Sequence, residues 1–355
     1  MAIHQFLPSF RLGDAIGNYT VHIAETIRSW GVDSDIFCEF FNPDTMDIAH
    51  YYKKYSQVKQ LDDILLFHFS IGADMTKYIL AQDARKVMIY HNITPADYFK
   101  DYNPVLFQEV KKGRIELARM KDRFDLYLSD SPYNNQELQD LGFAPAHVLP
   151  LTLDWRAQLA GSSNRIYDRM FADGKTNLLF TGKISPQKRI LDLIKVFYFY
   201  RTQFNQDSRL ILMGENRGAF CWYYLSLLKL IQDLDLPDVV FVGFTTHKQW
   251  VSLFNQSHIF LVFSGHEGFC APAMEAMVAG LPVVSVKDCA LKDTVGTGGV
   301  VLQERDYLGA AALVHRLVSD QPLRGRVLAN QESRVKDYFA KDFSATLKGY
   351  MEMLA

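Results

Sequence analysis

Residues 258–284 read HIFLVFSGHEGFCAPAMEAMVAGLPVV. The run 258–264 is apolar and stops at Gly265, the pattern of a strand buried on both faces of a parallel sheet. Pro272 stands where a helix tolerates proline, in its first turn, and Gly280 stands where a helix ends, so 271–280 is expected to be helical. The loop 265–270 therefore joins the carboxyl end of a strand to the amino end of a helix. Ligands of open α/β sheets bind on that side, where free backbone amides and the helix dipole attract anions such as phosphate. Two carboxylates belong to this turn, Glu267 in the loop and Glu275 about one turn into the helix, eight positions apart (275 − 267). A carboxylate only accepts hydrogen bonds and offers several lone pairs, which suits it to hydroxyl groups. A helix cap at Glu267 and a favourable acidic residue near a helix start at Glu275 would account for either one alone.

The same unit recurs on both sides of this stretch. Strands are expected at 3–7, 36–40, 64–69, 86–90 and 126–129, with helices between them, notably 17–30 and 104–121. The rhythm breaks over 151–175, where the polar run AGSSNR (160–165) reads as an irregular interdomain linker. It restarts with strands at 177–181, 209–213, 239–242, 259–263 and 282–286 and helices at 189–204, 220–234 and 247–255. Three further helices follow, 310–319, 323–339 and 344–354. Such alternation implies βαβ units and mainly parallel sheets. The expected fold class is α/β, two doubly wound Rossmann-like domains facing a cleft.

Composition narrows the alternatives. A chain of 355 residues is long enough for two domains with separate cores. Lys and Arg number 38 against 40 Asp and Glu, a formal charge of −2, which argues against nucleic acid as a partner. Cys38, Cys221, Cys270 and Cys289 lie far apart without CxxC spacing, so neither a zinc site nor a disulfide framework is expected, and a reducing cytoplasm suits the chain. The start of the chain lacks the basic opening and long apolar core of a signal peptide, and no apolar run approaches the ~18 residues of a membrane span. Any membrane contact is expected to be peripheral, at the inner face of the cytoplasmic membrane.

Glu267, seven intervening residues and Glu275, followed by Ala276, Met277, Gly280, Leu281, Pro282, Val283 and Val284, resemble the donor-site signature of the family 4 retaining glycosyltransferases (glycosyl transferases group 1). These are two-domain GT-B enzymes that use nucleotide-activated sugars. The segments HNITP (91–95) and HEGFC (266–270) resemble a bacterial subgroup of that family, and the resemblance covers nearly the full length. It implies an acceptor-side domain over 1–155, a donor-binding domain over 156–339, and a last helix, about 340–355, that crosses back to the first domain. Beside Glu267, which faces the transferred sugar, and Glu275, which faces the ribose, it assigns Gly268, Phe269, Cys270 and Ala271 to donor binding.

Other segments fall at strand ends on the same side. TGKISPQKR (181–189) follows the first strand of the second half, and two ammonium groups there, on Lys183 and Lys188, suit a diphosphate whose charge grows as the sugar departs. The family carries a basic pair at these positions after the glycine matching Gly182. Its first member is often arginine, so Lys183 replaces a bidentate fork with a point charge. RLGDAIGN (11–18) lies between the first strand and first helix; it is not GxGxxG, but Gly13 and Gly17 permit close backbone approach to a ligand, and by resemblance this loop approaches the donor phosphates and acceptor. His91 closes the strand 86–90. A histidine there is commonly structural; the resemblance implies that it faces the reacting sugar, by a hydrogen bond from its ring or backbone rather than as a free base. His68 in FHFSIG is a weaker parallel candidate.

Asp33-Ser34-Asp35 matches a metal-binding DxD motif of another glycosyltransferase fold, but it precedes a strand and so lies at the amino end of the sheet, away from the site; it reads as a polar turn. No metal or other cofactor is expected. Lys111, Lys112, Arg114, Arg119, Lys121 and Arg123 make one helix region basic, which reads as a solvated face ahead of a contact with anionic lipid or acceptor. The aromatic clusters 197–200 and 222–224 read as core packing. Together with the resemblance, these features imply a cytoplasmic, metal-independent retaining hexosyltransferase. Its donor is a nucleoside diphosphate sugar, GDP-mannose or a UDP-sugar, and its acceptor a glycan or lipid-linked hydroxyl in surface polysaccharide or lipopolysaccharide synthesis. A nucleotide-sugar binding or scaffold protein with little turnover is the alternative, and a phosphorylase or epimerase of the same architecture stays open. A nicotinamide-dependent oxidoreductase would require the dinucleotide fingerprint that is missing here.

Overall fold

The computed structural model of the chain describes residues 1–215 and 218–354. Its apolar runs form β1 (Ile3–Phe10), β2 (Ile36–Phe41), β3 (Ala49–Tyr51), β4 (Ile64–Phe69), β5 (Arg85–Tyr90), β6 (Leu126–Ser129) and β7 (Ala146–Val148). All pair in parallel, in the order β3-β2-β1-β4-β5-β6-β7. A second parallel sheet holds β8 (Thr176–Thr181), β9 (Ser208–Met213), β10 (Val239–Gly243), β11 (Ile259–Val262), β12 (Val283–Val286) and β13 (Val300–Leu302), in the order β10-β9-β8-β11-β12-β13. Each sheet is wound outward from its first strand in one direction and then in the other. The strand order reverses at β1/β4 in one and at β8/β11 in the other, the position at whose carboxyl side open α/β sheets in general bind their ligands.

Every residue of β4, β8, β9, β11 and β12 is buried, as helices on both faces of a sheet require. The helix Ala15–Ser29 shows how the layers form: Tyr19, Thr20, Ile23, Ala24 and Ile27 recur at three- and four-residue spacing and are buried, while Asp14 caps the start by accepting from Gly17 N. Burying one such Ile or Tyr contributes about 1.5–3 kcal/mol. In the second sheet, Gln331 on the helix Gln321–Phe339 replaces a strand partner. Its Oε1 accepts from Val283 N at 2.9 Å and its Nε2 donates to Leu281 O at 3.1 Å, so the start of β12 leaves neither group unpaired.

The chain divides into two compact units, one of residues 1–97, 105–153 and 341–355, the other of residues 98–104 and 154–340. In the first, the helix Phe343–Glu352 is held by Tyr350 donating to Val148 O at 3.0 Å and by Trp30 donating to Ser344 Oγ at 2.9 Å. The expected last helix extended to residue 355, which lies outside the described residues.

Two expectations need correction. The segment 151–175 is not irregular: it contains the helices Trp155–Leu159 and Arg165–Phe171, capped by the side chains of Asp154 and Asn164. Of the polar run 160–165, residues 160–164 link the two helices and Arg165 opens the second, and Trp155, fully buried, stacks on Phe269 at 6.2 Å with an interplanar angle of 4°. Of the aromatic clusters, Phe197, Tyr200 and Tyr223 are core residues, but Trp222 is exposed on the outer face of the helix Cys221–Asp233.

Candidate functional site

The second unit's candidate residues converge at the β8/β11 reversal. β8 ends at Thr181, and Gly182, at φ +142°, turns the chain aside. The backbone here is closely packed: a Cβ at Gly214 would lie 2.0 Å from Gly182 O. A short turn, Pro186–Lys188, follows, and Arg189, left-handed at φ +51°, opens the helix Ile190–Gln203. The loop after β11 lies against this turn, with Gly265 N donating to Gln187 O at 2.8 Å. A Cβ at Gly265 would meet Tyr98 Oη at 2.3 Å, so a side chain there would displace that tyrosine.

That seam sets Lys188 against Glu267. Lys188 Nζ donates to both Glu267 oxygens at 2.6 Å, and Ser264 Oγ donates to Glu267 Oε1 at 2.7 Å. Glu267 is 8% exposed. Burial works against the Lys188 ammonium, but the Glu267 carboxylate outweighs it and holds the lysine above its ordinary pKa. The pair is thus an ion pair with little solvent around it.

Cys270, also left-handed at φ +74°, opens the helix Ala271–Val278, which has no side-chain cap at that end. A non-glycine residue in this region is uncommon, and both left-handed residues, Arg189 and Cys270, open helices beside the ion pair. Burial raises the Cys270 thiol well above its ordinary pKa. Phe269 is fixed from both sides, by the stack on Trp155 and by Thr294 Oγ1 donating to its carbonyl. Glu275 stands on the same helix, and burial alone raises its carboxyl to about 7. Lys183 does not join Lys188: it is exposed, with Nζ 5.2 Å from the centre of the Phe220 ring, a cation–π contact that holds it over the loop after β9.

The first unit gathers its candidates at the β1/β4 reversal. The loop 11–14 leaves β1 with Gly13 at φ +90°, and Gly13 N donates to Asn18 Oδ1 at 3.0 Å. Gly17 is obligatory, because a Cβ there would lie 1.9 Å from Arg11 O. Burial raises the Asp14 carboxyl, while Gly17 N and the charges of Arg11 and His91 oppose the rise. His91 leaves β5 with its backbone N bonded to Phe69 O at 2.9 Å. The resemblance implies a ring facing a sugar; in the structure the His91 side chain is 1% exposed and both ring nitrogens have partners within the unit. Nε2 meets His68 Nδ1 at 2.8 Å and Nδ1 meets Asp130 Oδ2 at 2.9 Å. The reason is topological. β4 and β5 are adjacent with Phe69 paired to Tyr90, and β6 delivers Asp130 from the other side.

Ser264, Asp130, Gln5 and Tyr98 escape a reading of the sequence. Ser264 and Asp130 do follow strands directly, at the ends where binding residues concentrate, which is the signal that could have found them. Asp33 and Asp35 precede β2 as expected, but the segment is not a turn: their carbonyls accept from Ile3 N and Gln5 N, so it runs alongside β1 into β2.

Known proteins resemble the chain in both sequence and fold. Residues 168–334 match the family described as Glycosyl transferases group 1. The capsular polysaccharide biosynthesis glycosyltransferase CapM of Staphylococcus aureus is 24% identical over 163 residues, 45% of this chain and 41% of that protein. The GDP-mannose:cellobiosyl-diphosphopolyprenol alpha-mannosyltransferase of Xanthomonas campestris is 32% identical over 143 residues, 40% and 36% of the two chains. The chain therefore matches only about two-fifths of the length of these curated relatives. Among solved structures, Anabaena HepE in complex with UDP and glucose superposes with a TM-score of 0.77 at 15% identity, covering 100% of this chain and 99% of that one. Sucrose-phosphate synthase of Thermosynechococcus elongatus does so at 0.75 and 15%, with the same coverage. At such identities the likeness is one of fold: two Rossmann-like α/β units in a single chain, the GT-B architecture.

Proposed function

We propose that this chain, whose residues 168–334 carry the glycosyl transferases group 1 match, transfers a hexose from a nucleoside diphosphate sugar to a hydroxyl of a glycan or lipid-linked acceptor in surface polysaccharide synthesis, with retention at the anomeric carbon and without a metal. The observation that carries the reading is the Lys188–Glu267 pair at the β8/β11 reversal, braced by Ser264 at the amino end of an uncapped helix. A diphosphate offers Lys188 a doubly charged partner, and the freed Glu267 carboxylate then accepts hydrogen bonds from the sugar hydroxyls. Glu275 serves the ribose diol. Lys188, the exposed Lys183 ammonium and the amides near Ala271 stabilise the leaving diphosphate, the charge a bound cation would otherwise supply. Attack from the same face, with the diphosphate accepting the acceptor's proton, gives retention without a protein nucleophile. The first unit, with Gly13, Gly17 and the 91–95 segment, serves the acceptor side.

The names of the two curated relatives support the acceptor class, and one of them specifies GDP-mannose as its own donor. The test is a hydrolysis and transfer screen over GDP- and UDP-sugars, with and without chelator. Transfer that survives chelation supports the proposal, and strict metal dependence overturns its mechanism. Glu267→Ala and Lys188→Ala should each lower turnover by about 100-fold or more. Near-normal turnover in either variant would remove these residues from the site, and donor binding without transfer would favour the scaffold alternative.

A further inference from the structure

Phe269 stands two residues after Glu267 and one before the left-handed Cys270 that opens the helix Ala271–Val278. Its ring forms a triangle with two others. Trp155 lies 6.2 Å away and within 4° of parallel, Tyr338 lies 5.8 Å away at 47°, and these two are themselves 6.2 Å apart. Phe339 adds an edge contact to Trp155 at 5.7 Å and 68°. All these separations fall where aromatic rings attract one another. The backbone of Phe269 is tied to the same triangle. Thr294 Oγ1 donates to the Phe269 carbonyl, the Thr294 carbonyl accepts from Arg334 Nε at 3.3 Å, and the Asp293 carbonyl accepts from Arg334 Nη2 at 2.6 Å. The Arg334 guanidinium in turn lies 5.7 Å from the centre of the Tyr338 ring, a cation–π contact. A closed circuit therefore runs from the Phe269 carbonyl through Thr294, Arg334 and Tyr338 back to the Phe269 ring. Trp155, Thr294 and Phe269 are all buried. Among the described residues Trp155 Nε1 meets no hydrogen-bond partner, so this indole acts through its ring alone.

We propose that Trp155, Tyr338, Arg334 and Thr294 are positioning residues that set the shape of the 265–270 loop by fixing Phe269, and so place Glu267. The other anchors of Glu267 are the bonds from Lys188 and Ser264 to its carboxylate and a longer one, 3.4 Å, from Ala290 N to its carbonyl. In the proposed reaction a diphosphate draws Lys188 away and removes the strongest of these. The aromatic circuit contains neither Lys188 nor Glu267, so it persists when their pair opens, and the loop keeps its shape while Glu267 changes partner. A displacement of about 1 Å at such a residue can cost 100-fold in rate, which makes a brace independent of the ligand worth its buried rings. That role in transfer rests on the transferase reading; the bracing of the loop does not.

The test is hydrogen–deuterium exchange of the full chain, read by mass spectrometry on the peptide spanning 264–271, with β8 and β11 as controls. Trp155→Leu removes the stacked ring, and Thr294→Val keeps the shape of Thr294 but removes the bond to the Phe269 carbonyl. Each should speed exchange of the loop by about tenfold, at labelling times too short for the control strands to exchange. Trp155→Phe keeps an aromatic ring and should exchange as the unmodified protein does. Transfer of a hexose from GDP- or UDP-sugars is measured on the same samples. Trp155→Leu and Thr294→Val should lower kcat/KM by about tenfold or more, and Trp155→Phe should restore it. Loop exchange unchanged in both loosening variants, or raised equally in β8 and β11, overturns the proposal. So does a loosened loop with unchanged kcat/KM. If Trp155→Leu does not fold, Thr294→Val decides by the same readouts. Loosened exchange in a chain that transfers no sugar even unmodified refutes the transferase reading alone.

Discussion

On the proposed reading, Glu275 is the residue at which stability and binding oppose each other. Burial raises its carboxyl from 4.5 to about 7, and no neighbouring charge offsets the burial. The unfolded chain ionises this group near 4.5, so between about 4.5 and 7 the folded state binds the extra proton and stability falls as pH rises. Above 7 the full cost applies: a shift of 7 − 4.5 pKa units, at about 1.36 kcal/mol each, comes to about 3 kcal/mol. Glu275→Gln removes the ionisation and leaves a similar shape. The amide carries its own burial cost, but that cost does not change with pH. The stability of Glu275→Gln relative to the unmodified chain should therefore rise by about 3 kcal/mol between pH 4.5 and pH 8.5. Urea unfolding read by tryptophan fluorescence measures it, because Trp155, Trp222 and Trp250 lie in the same unit as Glu275 and only Trp30 lies in the other. A Glu-to-Gln difference that stays flat across this range refutes the assignment of a half-buried, uncompensated carboxyl. If Glu275 holds the ribose as proposed, nucleotide-sugar affinity should move the opposite way, falling in the unmodified protein as pH drops below 7 and the carboxylate is lost as an acceptor.

The Lys188–Glu267 pair should show strong coupling in the free protein. Lys188→Met leaves a carboxylate buried, Glu267→Gln leaves an ammonium buried, and each should cost about 3–5 kcal/mol in urea unfolding, whereas the double variant should recover much of that loss; simple additivity would mean that solvent screens the pair. Gly17→Ala should destabilise the first unit by about 1–3 kcal/mol, because its Cβ would overlap Arg11 O and displace the 11–14 loop. Trp30 fluorescence follows that change, and an unshifted midpoint would mean the loop yields without cost.

How much of this was legible depends on the kind of signal each residue carries. The long strands β1, β2, β4, β5, β6, β8, β9, β10, β11 and β12 announce themselves as apolar runs between glycines and polar turns, and their structural ends fall within a few residues of the expected ones. The short strands β3, β7 and β13 do not, because three residues such as Ala49–Tyr51 have too little length for periodicity and are extended only because a neighbouring strand pairs with them. The helix Trp155–Leu159 was hidden by its polar surroundings, although Asp154 supplies an ordinary N-cap. Gly17 could be singled out for close approach, but not the atom it approaches. Lys183 and Lys188 look alike in TGKISPQKR, and only the packed fold separates them: Lys188 is drawn inward to a carboxylate, while Lys183 is left over an aromatic ring.

The sequence by itself determined that two α/β units are wound from parallel strands and that Gly13, His91, Lys188 and Glu267 lie at carboxyl ends of strands. Both are properties of local pattern, apolar runs punctuated by glycine, and local pattern survives in one dimension. Strand order does not. Only the tertiary structure decided that β8 neighbours β11, which brings Lys188 to a carboxylate 79 positions away, and that β5 lies between β4 and β6, which places His91 between His68 and Asp130. The physical reason is that parallel neighbours are chosen by crossover connections and by the burial of both sheet faces, terms that belong to the whole unit, whereas the chemistry of each site is set at distances of about 3 Å, where a change of neighbour changes the partner.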